Sequence, residues 1–195
     1  MAARVNAPSS YRQQQAQLTK DRIAAAARRL FAARGYSATS IDAIAAAAGV
    51  AVRTVYSAFG AKREILSAIC EKWLEDARAR ELAQEGLSTN DPRERLQAAA
   101  HWLRNLYEHG FDVVTILDTA FDEDEETRKM LRAKLNGRNH VMDALTSLTP
   151  QVQPVYRALA APGVYRELVV ETGWTGDRFE EWLTKVLEGV LQSGE

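Results

Sequence analysis

The chain has 195 residues, 46% hydrophobic and 26% charged, a balance that supports a packed core in one large or two small domains. Its single cysteine, Cys70, excludes an internal disulfide and a cysteine-clustered zinc site, and His101, His109 and His140 lack metal-ligand spacing. The net charge of −1 conceals a division: residues 1–66 carry ten Lys/Arg against three Asp/Glu, or +7, and the remainder is −8, the footprint of a segment that meets a polyanion.

Residues 1–18, with Pro8, paired serines and Gln13 to Gln15, lack apolar periodicity and read as a flexible tail. They contain no apolar secretion segment. No later run approaches the roughly 18–20 apolar residues that span a bilayer, so a cytoplasmic protein with no membrane partner is expected. Thr19 is the predicted cap of a helix ending near Arg34, with Ile23, Ala26, Ala27, Leu30 and Phe31 on one face and Gly35 as its stop. Thr39 is predicted to begin a second helix, with Asp42 as capping-box partner.

Within that second helix Ile41, Ile44, Ala45 and Ala48 share a face, and Gly49 follows where the chain must turn with positive φ. A short helix from Val52 to Phe59 then turns Val55 and Phe59 inward, four residues apart. This is the layout of a helix-turn-helix, and the alanines let its two helices cross closely. It leaves Val52, Arg53, Tyr56 and Ser57 facing outward. An arginine near the start of such a helix can reach guanine O6 and N7 through two parallel hydrogen bonds. Thr54 and Tyr56 offer hydroxyls to phosphate, Lys62 an ammonium, and Thr39 a backbone amide and a hydroxyl.

Beyond this stretch a long helix is predicted from Lys62 to Glu85, with Ile65, Leu66, Ile69, Cys70, Trp73, Leu74 and Ala77 as its stripe and Gly86 as its end. Asp91-Pro92-Arg93-Glu94 starts the next helix, which stops at Gly110 and is followed by a short one to Phe121. The five acids Asp122 to Glu126 open a helix to about Ser147, where they favour the macrodipole. Segments 152–172, interrupted by Pro162, and 177–192, capped by Asp177 with Glu180, complete an all-α chain.

The run from Thr39 to Lys62, TSIDAIAAAAGVAVRTVYSAFGAK, closely resembles the DNA-binding signature of TetR-family transcriptional regulators. Phe31-Ala-Ala-Arg-Gly-Tyr36 resembles the end of that family's first helix. Ala51 departs from the serine cap common there, and Ser57-Ala58 from a commonly bulkier pair. The resemblance implies a helix-turn-helix domain over 19–66 and a helical ligand-binding and dimerisation domain over 67–195. It further implies a homodimer that reads a palindromic operator, most simply a repressor released by a small molecule. The segment from Pro162 to Trp174, with Trp182-Leu183, is similar to the C-terminus of one common branch.

Candidate pocket residues are Trp73, Trp102, Leu106, Tyr107, Phe111, Phe121 and Tyr165; core packing is the default reading of each, and together they point to an apolar or aromatic ligand. Candidate dimer residues are Phe179, Trp182, Val186 and Val190 on the last helix, whose wide apolar stripe also suits an ordinary core helix. No cofactor is expected. No nucleophile elbow, phosphate loop or acid–base pair is visible, which argues against an enzyme. A regulator of the same fold without a small-molecule ligand is the competing expectation.

Overall fold

The computed structural model describes residues 7–146 and 153–193, and every regular element among them is helical. The chain divides into two compact units. The first comprises the described residues to Glu71 together with Thr115–Glu123; the second comprises Lys72–Val114 and the described residues from Asp124 onward. The division thus falls inside a helix at Glu71, beyond the expected boundary at residue 66, and the first unit takes in a later segment.

The first unit is built on α1 (Ala7–Arg34), α2 (Ile41–Ala48), α3 (Val52–Phe59) and the start of α4 (Lys62–Asp76). The expected face of α1 forms its core: Ile23, Ala26, Ala27 and Phe31 are buried, and Tyr36 stacks on Phe31 with ring centroids 4.9 Å apart. Ile44, Ala45 and Ala48 of α2, Val55 of α3 and Ile65, Leu66, Ile69 and Cys70 of α4 complete it. Two expectations fail at the N-terminus. Residues 7–18 are helical, continuous with the rest of α1, whereas residues 1–6 of the expected tail lie outside the described residues. Thr19 caps nothing; it sits inside α1 and its hydroxyl donates to the Gln15 carbonyl, 2.8 Å away. The segment from Tyr11 to Leu18 is exposed throughout, so an apolar stripe could not reveal it.

The second unit contains the rest of α4, α5 (Ala79–Leu87), most of α6 (Pro92–Ala120), α7 (Glu125–Thr146), α8 (Gln153–Leu159), α9 (Pro162–Tyr165) and α10 (Gly176–Ser193). A π-helical turn, Arg166–Glu171, continues α9, and Thr172 N–H reaches back to the Glu167 carbonyl. The single helix expected from Lys62 to Glu85 is broken at Ala77–Arg78, where Arg78 adopts φ 47°. That left-handed backbone is unfavourable for a residue with a Cβ. Side chains of α6 compensate the freed backbone: Asn105 Nδ2 donates to the Ala77 carbonyl, and Trp102 Nε1 to Ala79 at 2.8 Å. Gly86, the predicted stop, lies inside α5 instead. A Cβ there would come 2.7 Å from both Ala98 and Leu145, so the glycine serves close packing.

Asp91 caps α6 as its sequence implies, its carboxylate accepting from Arg93 N–H at 2.8 Å. As the sequence implies, two helices meet at Gly110 within α6: its backbone is non-helical, at φ −175° and ψ 46°, and the axis kinks there. The Trp73 indole fills the bend, its Nε1 donating to the Leu106 carbonyl at 2.7 Å. In a regular helix that carbonyl would accept from the amide of Gly110. The acid run divides its work, with Asp124 capping α7 by accepting from Thr127 N–H at 2.7 Å and Glu125 and Glu126 in the first turn. Asp177 is not the cap of α10; Thr175 Oγ1 accepts from Arg178 N–H, and Asp177 pairs with Arg104. The helix bounds expected at Ser147 and Val152 lie outside the described residues.

Gly110→Ala would drive a Cβ into the Trp73 indole, closer than any real Cβ contact. The expected result is a loss of about 2–4 kcal/mol, from overpacking plus the broken Leu106 hydrogen bond, read from urea unfolding.

Candidate nucleic-acid interface

The corner between α2 and α3 is made by the backbone of Gly49, at φ 64° and ψ 41°. The Gly49 and Val50 amides fold back onto the Ala46 and Ala45 carbonyls at 3.2 and 3.0 Å, closing α2 with a left-handed cap. The last carbonyl of α2, on Ala48, accepts from the Arg22 guanidinium at 2.7 Å. This positive group at a helix C-terminus also suits the macrodipole. The two helices leave the corner at 103°. Val55 is buried and pins α3 to the unit, with half-buried Phe59 one turn on, 5.9 Å below the Lys20 ammonium.

Pinning α3 in this way leaves Arg53, Tyr56 and Ser57 exposed, with Tyr56 53% accessible; Val52 and Thr54 are half-buried at the edges of that face. The outward set read from the sequence therefore falls on one side of one helix.

Two neighbouring residues depart from their expected places. Thr39 is buried and its hydroxyl donates to the Gly35 carbonyl at 2.8 Å, so it neither caps α2 nor presents that hydroxyl outward. Ser40 is the cap, exposed, with its Oγ accepting from Ala43 N–H at 3.1 Å. Both residues are good caps, and the choice depends on which one the Gly35 turn draws inside. Lys62 is engaged within the protein: its ammonium donates to the Tyr36 carbonyl at 3.1 Å, pairs with Glu123 at 2.7 Å and lies 4.3 Å from the Tyr36 ring centroid.

The sequence model for bacterial regulatory proteins of the tetR family matches residues 23–69, the span from Ile23 of α1 into α4. Residues 23–69 are a tetR-family domain. The TetR fold extends over most of its length. A transcriptional regulator of the TetR/AcrR group from Aquifex aeolicus superposes with TM-score 0.68 at 21% identity, covering 88% of this chain and 99% of its own. NalD, the secondary repressor of the MexAB-OprM multidrug efflux pump in Pseudomonas aeruginosa, gives 0.68 at 22%, covering 91% and 97%. FadR from Bacillus subtilis, in complex with stearoyl-CoA, gives 0.66 at 16%, covering 85% and 96%. No curated protein is similar enough in sequence to count as a relative.

In the C-terminal unit of this TetR fold the candidate pocket residues separate. Tyr107, Phe111 and Tyr165 come together with Phe179 in one aromatic cluster, with centroids 4.7–5.8 Å apart. Leu106, Trp73 and Trp102 are buried, and both indoles donate to backbone carbonyls. Phe121 belongs to the first unit. Phe179, expected at a dimer contact, is fully buried within its own chain, whereas Trp182, Val186 and Val190 remain half-buried along α10.

A different, polar group stands out where α6, α7 and α8 provide Tyr107, Arg138, Asp143 and Tyr156. Arg138 donates to the Ala160 carbonyl at 2.7 Å and to the Tyr107 hydroxyl at 3.3 Å. Tyr156 is fully buried with no partner for its hydroxyl, and Asp143 Oδ1 is likewise unpaired. Burial pushes the Tyr156 phenol above its ordinary pKa. Pattern reading passes over such residues because their burial is decided by distant helices. An open groove of about 500 Å3 is lined instead by polar side chains including Gln97, Arg104, Asp177 and Glu180, and by none of the seven expected residues. Burial opposes the charge on Arg104, but hydrogen bonds from its guanidinium to Glu108, Glu180 and Asp177 outweigh that and raise its pKa.

Two substitutions test these assignments. Ser40→Ala removes the cap and is expected to cost about 1 kcal/mol in thermal or urea unfolding. Tyr156→Phe deletes an unpaired buried hydroxyl and is expected to stabilise the ligand-free protein by about 1 kcal/mol.

Proposed function

We propose that the protein is a homodimeric cytoplasmic transcriptional regulator whose 19–66 domain reads a palindromic operator through Arg53. In this reading it is a repressor, and a small apolar or aromatic ligand held in the 67–195 domain releases it. The observation that carries the reading is the α3 surface: Arg53, Tyr56 and Ser57 stand exposed on one face of a helix held at 103° to α2, within a segment of charge +7. Arg53 lies in the first turn of α3, where a guanidinium can meet a guanine edge, while Tyr56 and Ser57 supply hydroxyls to phosphate. The half-buried stripe of Trp182, Val186 and Val190 supports a second copy as partner, which would set two α3 helices about one turn of DNA apart.

The ligand part of the reading draws support from FadR, which binds stearoyl-CoA, and from the unpaired Tyr156 and Asp143 groups, which could orient a polar end. A ligand preferring a state with different helix spacing would drain the DNA-bound population by linkage. A second reading, a regulator without a small-molecule ligand, is favoured by one observation. Tyr107, Phe111, Tyr165 and Phe179 pack against one another in one aromatic cluster.

Operator DNA selected from a random pool tests the central claim. Arg53→Ala should weaken binding to that site by about 1–3 kcal/mol and relax base preference, read in a mobility-shift titration against scrambled DNA. Wild-type affinity in that variant would remove Arg53 as the base reader. Light scattering at micromolar concentration should give a dimer, and a monomer would defeat the palindromic reading.

A further inference from the structure

We propose that Glu123 competes with operator phosphate for the ammonium of Lys62, making it the residue that sets how tightly the first unit holds DNA. The inference rests on the reading that the α2–α3 face binds DNA.

Lys62 is the first residue of α4, two residues after the Gly60 turn that ends α3, so it stands beside the recognition helix. A cation at a helix N-terminus opposes the macrodipole, and Lys62 therefore gains nothing from its own helix by being charged there. Its counter-anion is Glu123, in the turn between α6 and α7, at 2.7 Å. The two side chains are 19% and 24% accessible, so the pair is reachable by an incoming anion. The Tyr36 carbonyl and ring hold the stem of the interaction in place and are neutral.

Glu123 is the charged partner of that ammonium, and α7 has its cap without it, from Asp124. A phosphate oxygen offers Lys62 the same charge-assisted hydrogen bond as a carboxylate oxygen. One ammonium cannot neutralise both anions, and a carboxylate beside a phosphate is repulsive. Each protomer thus withholds one phosphate contact while the bridge is closed and gains it when the bridge opens. Because a partly exposed ion pair is weak, the exchange lies close to balance. The bridge therefore lowers operator affinity and the salt dependence of binding together.

The test uses the full-length protein and operator selected from a random pool, with affinity measured by fluorescence anisotropy over a range of KCl. Glu123→Gln should tighten binding about three- to tenfold at 0.1 M salt and steepen the log K against log[salt] slope by about 0.9 for each phosphate gained. Glu123→Ala should do the same, and its thermal melt reports folding. Asp122→Asn, which removes a neighbouring exposed acid, should leave the slope unchanged and so separates competition from general charge. Lys62→Gln in the Glu123→Gln background should abolish the gain. A wild-type or shallower slope in both Glu123 variants overturns the proposal, as does a gain that survives Lys62→Gln. If Arg53→Ala binds as the wild type does, the DNA reading itself fails, independently of Glu123.

Discussion

The left-handed corner at Gly49 is the constraint on which the candidate interface depends. With φ at 64°, two amides turned back onto α2 and Arg22 holding the final carbonyl, α3 has one direction in which to leave. Val55 then fixes its rotation by being buried, and Arg53, Tyr56 and Ser57 face solvent as a consequence. A side chain at position 49 would meet both the φ restriction and the Arg22 guanidinium 3.3 Å away. The alanines around the corner contribute by what they lack, since small side chains let backbones approach closely.

Charge in the first unit follows a different logic from shape. The +7 balance counts Lys62 as free, yet it is held by Glu123 and Tyr36. The acid comes from a segment far along the chain that folds into the same unit, so a sum over residues 1–66 overstates the field that unit presents. Arg53, by contrast, is exposed on α3.

In the second unit the organising contact is Trp73 against Gly110, where the indole occupies a bend in α6 and takes the Leu106 carbonyl. Nearby, Trp102 and Asn105 cover the carbonyls exposed by the break at Arg78. These large side chains resembled pocket walls in the sequence because aromatic residues line ligand sites and cores alike. Each indole N–H is donated to a backbone acceptor, which fixes the orientation of the ring.

The sequence by itself determined the helical class, the face of α1, the cap at Asp91, the glycine corner and the set of side chains displayed by α3. All of these rest on spacing within one or two turns, where 3.6-residue periodicity and local hydrogen bonding dominate. Tertiary structure alone decided that Thr39 turns inward and Ser40 caps, that the helix from Lys62 breaks at a non-glycine residue, and that Gly86 serves packing. It also decided that Phe179 is interior and that Lys62 has a partner at Glu123. Each of those outcomes is set by a group remote in the chain, whose distance from its partner no local pattern encodes.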